Sequence, residues 1–464
     1  MGLLKPRGQE HLLQWWGELS GEERQTLLSE LESIPWGILD PVIPTHVLSK
    51  PESVVSKTIQ PARVTKQPPK GQSNEKFEAA RHRGRELLGA GRVAAFTVAG
   101  GQGTRLGFDG PKGMVLVTPV GEKSLFELFA LTVRGARDRF RAVIPWYIMT
   151  SPANHGETLA YFRANQFFGL PEDDVVFFSQ GMLPAFDFQG RVLLSSKSRL
   201  GLAPDGHGGS LKALVESGSL RDMQRRGITT ISYFQVDNPL VKPFDPVFIG
   251  LHSLTCSEMS TKVATKADDL EKVGNVCLVD DHVTVVEYSD FPAELAHARD
   301  EHGRRVFDAG NLAIHLLDVS FVDRVVAKSF QMPFRRAEKV VPYVDEAGVV
   351  QMPERPNAVK LETFVFDVLP LARNPLVLEV DRAEEFSPVK NSTGPDSLES
   401  SKRDQVLRAC RWLEDAGVSV PRDGRGEPDL VVAISPTFAL DKEDVVIHKD
   451  RVPPLKPRIQ ISVE

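Results

Sequence analysis

The stretch VAAFTVAGGQGTRLGFDGPKGM, Val93 to Met114, decides how the rest of this chain is read. Its first six residues are an apolar, partly β-branched run of the kind buried on both faces of a sheet. The remainder is dense in glycine, at 100, 101, 103, 107, 110 and 113. Glycine loses the most backbone entropy on folding, so such density marks a close approach that a Cβ would prevent. Two familiar phosphate loops fail the spelling. Gly101 and Gly103 begin a G-x-G-x-x-G fingerprint, but its third position is Leu106, and Pro111 blocks the helix that should come next. Lys112 stands between Pro111 and Gly113, which is not a Walker A ending. The remaining geometry is a long non-helical loop whose backbone N–H groups form a concave anion nest. Arg105 adds a rigid fork of donors and Lys112 a mobile point charge, both suited to phosphate oxygens. Taken alone, the loop is as well explained by a structural turn carrying two surface cations.

Other strand ends add to it. VVFFSQG (Val175 to Gly181) and ITTISYFQVDNPL (Ile228 to Leu240) are apolar β runs that close on polar residues. SLFELFALTVRGARDRF (Ser124 to Phe140) reads as a helix opened by a capping box, Ser124 with Glu127. VCLVDDHVTVVEY reads as a hairpin turning at Asp280-Asp281. Strands alternating with helices predict an α/β, Rossmann-like core with a mixed, mostly parallel sheet. In such sheets ligands bind outside the carboxyl ends of the strands. Gly100-Gly101, Gln180 and Asp237-Asn238 each come after a β run, so a parallel sheet turns them to one crevice. That set is a phosphate nest, an amide able to read a base edge, and a carboxylate suited to Mg²⁺, which needs few carboxylates when phosphates supply oxygens. By itself Asp237 could equally be a helix cap.

The flanks read differently. EHLLQWWGELSGEERQTLLSELESI (Glu10 to Ile34) predicts two short helices joined by a turn, the second capped by Ser20 with Glu23; Trp15 and Trp16 are read as packing. Pro51 to Asn74 reads as an extended surface connection and Phe334 to Lys339 (FRRAEK) as a solvated loop. Beyond Asp381, SSKRDQVLRACRWLEDAG predicts one amphipathic helix, and DLVVAISP, DVVIHKD and RIQISVE predict strands of a small β unit. The expected domains are an N-terminal helical unit and linker (1–88), a catalytic domain (89–380) and a C-terminal helix and β unit (381–464).

Composition narrows the function classes. A chain of 464 residues with 41% hydrophobic and 25% charged residues has the profile of a soluble globular protein. A formal charge of -6 argues against a nucleic-acid partner held by bulk electrostatics. Cys256, Cys277 and Cys410 make no CxxC pair, which fits a reduced, cytoplasmic setting. The opening MGLLKPRGQEHLLQWW has no apolar signal core, and no run approaches the roughly 20 apolar residues of a membrane span. His252, His297, His302 and His315 have no metal-ligand spacing, so packing or surface roles are expected of them.

Five separated motifs, VAGGQGTRLGFDGPKGM, YFQVDNPLVK, VVEYS, FDAGN and EEFSPVKN, together resemble the eukaryotic-type UDP-sugar pyrophosphorylase family, most closely its UDP-N-acetylglucosamine branch. The likeness runs from HLLQWW to AISP. It implies a nucleotide-diphospho-sugar transferase core that joins UTP and a sugar 1-phosphate into a UDP-sugar and pyrophosphate, with Mg²⁺. Carried over, it implies that Gly100 and Gly101 hold uridine and phosphates, that Arg105 and Lys112 stabilise the triphosphate, and that Gln180 and Gly206 position the base. It places Asp237 by the α-phosphate and metal, Glu287, Tyr288 and Asn311 on sugar hydroxyls, and Lys360 and Lys390 on phosphates. One loop departs. In APDGHGGSLKAL (Ala203 to Leu214) the amino-sugar enzymes typically carry asparagine where this chain has His207, a spelling more like the UDP-glucose and broad-specificity branches. Gly274 in KVGNVCLV matches a glycine that leaves room for an N-acetyl group, and is equally an ordinary strand-start glycine. The motifs favour N-acetylglucosamine 1-phosphate, with glucose 1-phosphate or a broad sugar range as the alternative and a non-catalytic UDP-sugar-binding protein as a third. The chemistry suits the residue types: a sugar phosphate is already an anionic nucleophile, so fixed cations and backbone donors are what the reaction lacks.

Overall fold

The structure is a computed structural model that describes residues 2–50, 58–69, 72, 74–327 and 332–464. Its residues fall into two compact units, each drawn from three chain segments.

The larger unit (Val55–Ser179, Ala213–Ser329, Val368–Glu464) holds an eleven-stranded sheet. Its strands are β1 (Ile59–Pro61), β2 (Thr65–Lys66), β3 (Val93–Val98), β4 (Trp146–Thr150), β5 (Val175–Ser179) and β6 (Thr230–Gln235), then β7 (Met259–Thr265), β8 (Asn275–Val279), β9 (His282–Val286), β10 (Ala309–Asp318) and β11 (Leu376–Glu379). The main path is β2-β11-β7-β10-β6-β3-β4-β5. β3 pairs in parallel with β6 and β4, and β4 with β5; β10 is antiparallel to both β6 and β7. Along this path only β10 runs against the others, so the mixed, mostly parallel α/β sheet expected from the sequence is present. β3, β5 and β6 consequently end at one edge.

The core explains the strand assignments. Val93 to Phe96 are fully buried, as a run without polar alternation requires. Phe126, Phe129, Phe162 and Phe234 share a cluster with Val93 and Ala95, each phenylalanine contributing about 1.5–3 kcal/mol relative to exposure. The helix Leu125–Phe140 starts where Ser124 accepts the Glu127 N–H. Helices Glu75–Gly89 and Pro246–Leu254 cross with almost no spacing. A Cβ on Gly84 would lie 1.8 Å from the Pro246 carbonyl oxygen, and one on Gly250 would lie 1.7 Å from that of Ala80. Both clashes are with backbone, so this crossing requires glycine on each helix. The β8–β9 hairpin turns through Asp280 and Asp281 at φ 48° and 64°, the left-handed pair of a type I′ turn.

Within this unit the C-terminal residues form a satellite core around Trp412, Leu413, Val432, Val445 and Val463. The amphipathic helix is Leu398–Asp415, and Val431–Ile434 pairs in parallel with Gln460–Val463. DVVIHKD is not a strand. It lies mostly in the helix Lys442–His448, because Asp441 caps the Asp444 N–H and buries Val445 while Ile447 faces water.

The smaller unit (Met1–Val54, Gln180–Lys212, Phe330–Asp367) packs Leu12, Leu27, Trp36, Phe186 and Val359 into its own core. The helix Gly21–Ser33 has the full Ser20/Glu23 capping box, but the preceding residues make two 3₁₀ turns, Glu10–Leu13 and Trp16–Glu18, rather than an α-helix. Trp15 and Trp16 are packed, with Lys197 Nζ 4.3 Å from the Trp15 ring centroid and Arg24 over Trp16. FRRAEK is not a loop. Arg335–Lys339 pairs antiparallel with Ala358–Glu362, and Arg336 donates to the carbonyls of His46, Val47 and Ser49. Of the connection Pro51 to Asn74, residues 51–57, 70, 71 and 73 lie outside the described residues; β1 and β2 show that the rest joins the large sheet. No helix among the described residues is long and apolar enough to cross a membrane.

Candidate active site

The glycine loop leaves β3 at the carboxyl edge and closes on itself. Gly103 N–H donates to Gly110 O (2.9 Å) and Lys112 N–H to Gly101 O (3.1 Å). Buried Asn154 braces its base, donating from Nδ2 to Ala99 O (3.0 Å) and Gly101 O (3.3 Å) while Oδ1 accepts the Ser151 N–H. The glycines have separate reasons. A Cβ on Gly103 would meet the Phe108 ring at 2.8 Å and one on Gly113 the Phe126 ring at 2.2 Å, so both are packing requirements. Gly101 is exposed, has no unusual φ, and a Cβ there would meet nothing within 4 Å. Neither packing nor conformation within the protein asks for glycine at 101. Arg105 stands exposed on the 3₁₀ turn Thr104–Leu106 of the same loop.

Charge converges just beside it. Lys112 Nζ lies 3.3 Å from Oδ2 of Asp237, two residues beyond the end of β6, and both side chains are largely withdrawn from water. Burial acts to raise the Asp237 pKa, but the Lys112 and Lys390 charges with the Lys112 hydrogen bond more than offset it, holding the carboxyl below its ordinary range. Lys390 reaches this place through a docked segment. Val389 N–H donates to Asp237 O (2.8 Å), and buried Asn238 donates to Glu385 O (2.7 Å) and accepts the Ser387 N–H (3.1 Å). Behind the segment, fully buried Lys262 bridges Asp245 (2.7 Å) and Glu385 (2.6 Å). Burial alone would lower the Lys262 pKa; its two carboxylate partners raise it above the ordinary value, so the ammonium stays charged. Asn154 and Lys262 are residues that reading the sequence missed, and Asn238 is placed by it at the strand edge without its bracing role. Each acts through backbone or a distant carboxylate, a relation without fixed spacing.

The proposed sugar-side residues meet at the β8–β9–β10 junction of the same unit. Asn311 N–H donates to Gly274 O (2.8 Å), and its buried Oδ1 accepts from Ala313 N–H and Thr261 Oγ1. A Cβ on Gly274 would lie 2.6 Å from Val285 Cγ1 and 3.1 Å from Glu287 Oε1. Packing alone therefore explains glycine at 274. Tyr288 is 48% exposed.

Gln180, Gly206, His207 and Lys360 belong to the smaller unit. Gln180 is buried. Gly206 has φ 84°, and a Cβ there would strike Thr363 O at 2.4 Å. His207 stacks on Phe364 (centroids 5.0 Å, planes 10° apart) and its Nδ1 accepts the Val365 N–H, which leaves the proton on Nε2. Burial pushes its pKa down to about 4, so the ring is neutral at ordinary pH. Lys360 lies on the strand Ala358–Glu362, and burial lowers its pKa.

Among the described residues no group of three or more His, Cys, Asp or Glu side chains could hold a metal by itself. Asp237 offers one ionised, buried carboxylate, which fits a Mg²⁺ whose remaining ligands are phosphate oxygens and water. A hollow of about 400 Å³ lined by Gly89, Gly91, Val143 and Arg226 lies where β3, β4 and β6 begin, opposite the glycine loop. Its arginine is committed to Asp174 and Asp222, and it is not the site.

Known proteins resemble this chain along almost its whole length. The family model described as UTP–glucose-1-phosphate uridylyltransferase matches residues 46–464. The chain is 37% identical to human UDP-N-acetylhexosamine pyrophosphorylase-like protein 1, over 96% of this chain and 93% of that one. It is 36% identical to the UDP-N-acetylglucosamine pyrophosphorylase of Saccharomyces cerevisiae, over 96% of each chain. The crystal structure of the Trypanosoma brucei uridine diphosphate N-acetylglucosamine pyrophosphorylase superposes with a TM-score of 0.83 at 25% identity, covering 98% of this chain and 96% of that one. With a family match across most of its length and relatives aligned almost end to end, this chain belongs to the UTP–glucose-1-phosphate uridylyltransferase family of UDP-sugar pyrophosphorylases.

Proposed function

We propose that this protein is a uridylyltransferase that makes UDP-N-acetylglucosamine and pyrophosphate from UTP and N-acetylglucosamine 1-phosphate. The observation that carries this reading is the convergence of Lys112 and Lys390 on buried Asp237, on the strand edge that also carries the open glycine at 101. Relatives named for UDP-N-acetylglucosamine at 36% identity over nearly the whole chain support the choice of sugar.

In the reaction a phosphate oxygen of the sugar 1-phosphate attacks the α-phosphorus of UTP in line. A new P–O bond forms as the bond to the leaving pyrophosphate breaks, and no proton need be removed from the nucleophile. The Gly100–Gly101 backbone lets the phosphates approach closely. Arg105, Lys112 and Lys390 hold the two polyanions together and meet the charge that grows on pyrophosphate. The family resemblance assigns Gln180 and Gly206 to the base, Lys360 to a phosphate and His207 to the sugar, and within the larger unit it assigns Gly274, Glu287, Tyr288 and Asn311 to the sugar. Asp237 would hold Mg²⁺, which when bound neutralises polyphosphate charge. The setting we propose is cytoplasmic, with small-molecule partners and neither nucleic acid nor membrane.

A second reading, glucose 1-phosphate as the sugar, rests on His207, whose neutral Nε2–H offers a donor where an amide would offer donor and acceptor. Pyrophosphate release measured for a panel of nucleoside triphosphates crossed with sugar 1-phosphates tests both. UTP with N-acetylglucosamine 1-phosphate should give the highest kcat/KM. A large advantage for glucose 1-phosphate would replace the sugar, and no release from any pair would remove the activity.

A further inference from the structure

Lys112 in this ligand-free chain is not poised over open space; its ammonium sits on the Asp237 carboxylate at 3.3 Å. It thereby occupies one of the two carboxylate oxygens, Oδ2, and places a positive charge where a divalent cation would approach. The charges acting at the spot are Lys112 and Lys390 on Asp237, with Asp396 near enough to act on both Lys390 and Asp237. A bare divalent cation would meet two ammonium groups there, one of them already seated on the Asp237 carboxylate. A triphosphate reverses the balance and gives Lys112 a better partner, since ammonium–phosphate contacts are charge-assisted hydrogen bonds in their own right.

Resting on the uridylyltransferase reading above, we propose that Lys112 is an exchangeable counter-ion that closes Asp237 to free divalent cations until a nucleotide polyphosphate draws it away. Lys112 then has two positions, on Asp237 in the free enzyme and on phosphate in the loaded one. Asp237 becomes a metal ligand only in the second. Nucleotide and metal binding are coupled through this one side chain, and by linkage each strengthens the other.

Mn²⁺ alone, followed by electron paramagnetic resonance of the free ion, tests this without turnover. Nucleotide-free wild type should bind Mn²⁺ weakly. Lys112→Met should bind it at least about tenfold more tightly, because a unit charge some 4 Å away is removed. Lys112→Gln provides the same test if the methionine variant does not fold, as judged by circular dichroism. Lys112→Arg, which keeps the charge, should stay closed, and adding Asp237→Asn to Lys112→Met should abolish the gain. Equal Mn²⁺ affinity in wild type and the neutral variants, whether high or low, overturns the proposal. Should that occur while pyrophosphate is released from UTP, the counter-ion role falls and the activity stands. A Lys112-dependent Mn²⁺ gain in a protein that releases no pyrophosphate from any pair would reverse that outcome.

Discussion

Replacing Asn238 with alanine asks whether Lys390 works where the structure holds it. The side chain is 4% exposed and joins the end of β6 to the 385–389 segment by two hydrogen bonds, to Glu385 O at 2.7 Å and from Ser387 N–H at 3.1 Å. Truncation strands both of these backbone groups, and also the Leu240 N–H that the same Oδ1 accepts at 3.2 Å. At roughly 1–3 kcal/mol for each buried group left without a partner, and with some recovery by water, the docked segment should lose about 2–4 kcal/mol. The segment carries Lys390, so kcat should fall with it. The assay is a double-mutant cycle on pyrophosphate release with Asn238→Ala, Lys390→Ala and both together, each checked by urea unfolding. If Asn238 acts by placing Lys390, the double variant should be no slower than Lys390→Ala alone, a strong departure from additivity. Losses that multiply would show that Asn238 does not act through Lys390. An Asn238→Ala enzyme with wild-type kcat and stability would refute the account of the segment altogether.

Three further outcomes rest on the same geometry. Lys112→Ala should lower kcat by about 10²-fold or more, as for one preorganised charge-stabilising group; unchanged kcat and KM would remove Lys112 from the chemistry. Lys262→Met leaves Asp245 and Glu385 buried without their cation, and should destabilise the protein by about 3–5 kcal/mol in urea unfolding; a loss below about 1 kcal/mol would contradict the reading of the triad. His207 has its pKa lowered from 6.5 to about 4, so the unfolded chain takes up a proton that the folded one refuses between those values. Its contribution is complete above pH 6.5, declines as pH falls towards 4, and is flat below; His207→Gln should flatten that slope, and an identical pH–stability curve would exclude it.

Much of this was legible in the sequence, for physical reasons that differ by element. VAAFTV declared a doubly buried strand because nothing polar interrupts it, and Asp280-Asp281 declared a hairpin because both positions need positive φ. DVVIHKD misled because β-branched residues outweighed a helix cap at Asp441 that sits outside the motif. FRRAEK misled because Arg336 spends its charge on three backbone carbonyls that lie about 290 positions away in sequence. Lys112 and Asp237 could be named from loop spelling and strand ends, but their contact spans 125 residues. The supporting contacts of the site were hidden for the same reason, although Asn238 itself was legible at the strand edge beside Asp237. Asn154, Asn238 and Lys262 bond to main chain or to carboxylates brought near only by the sheet.

The most direct test supplies UDP-N-acetylglucosamine and labelled pyrophosphate to the protein with Mg²⁺ and tracks the label. A displacement that runs through Lys112, Lys390 and Asp237 must be reversible, so label should appear in UTP, and Lys112→Ala should slow its appearance by about 10²-fold. Calorimetric binding of UDP-N-acetylglucosamine with no label entering UTP would contradict the account and leave a protein that holds the nucleotide sugar without making it.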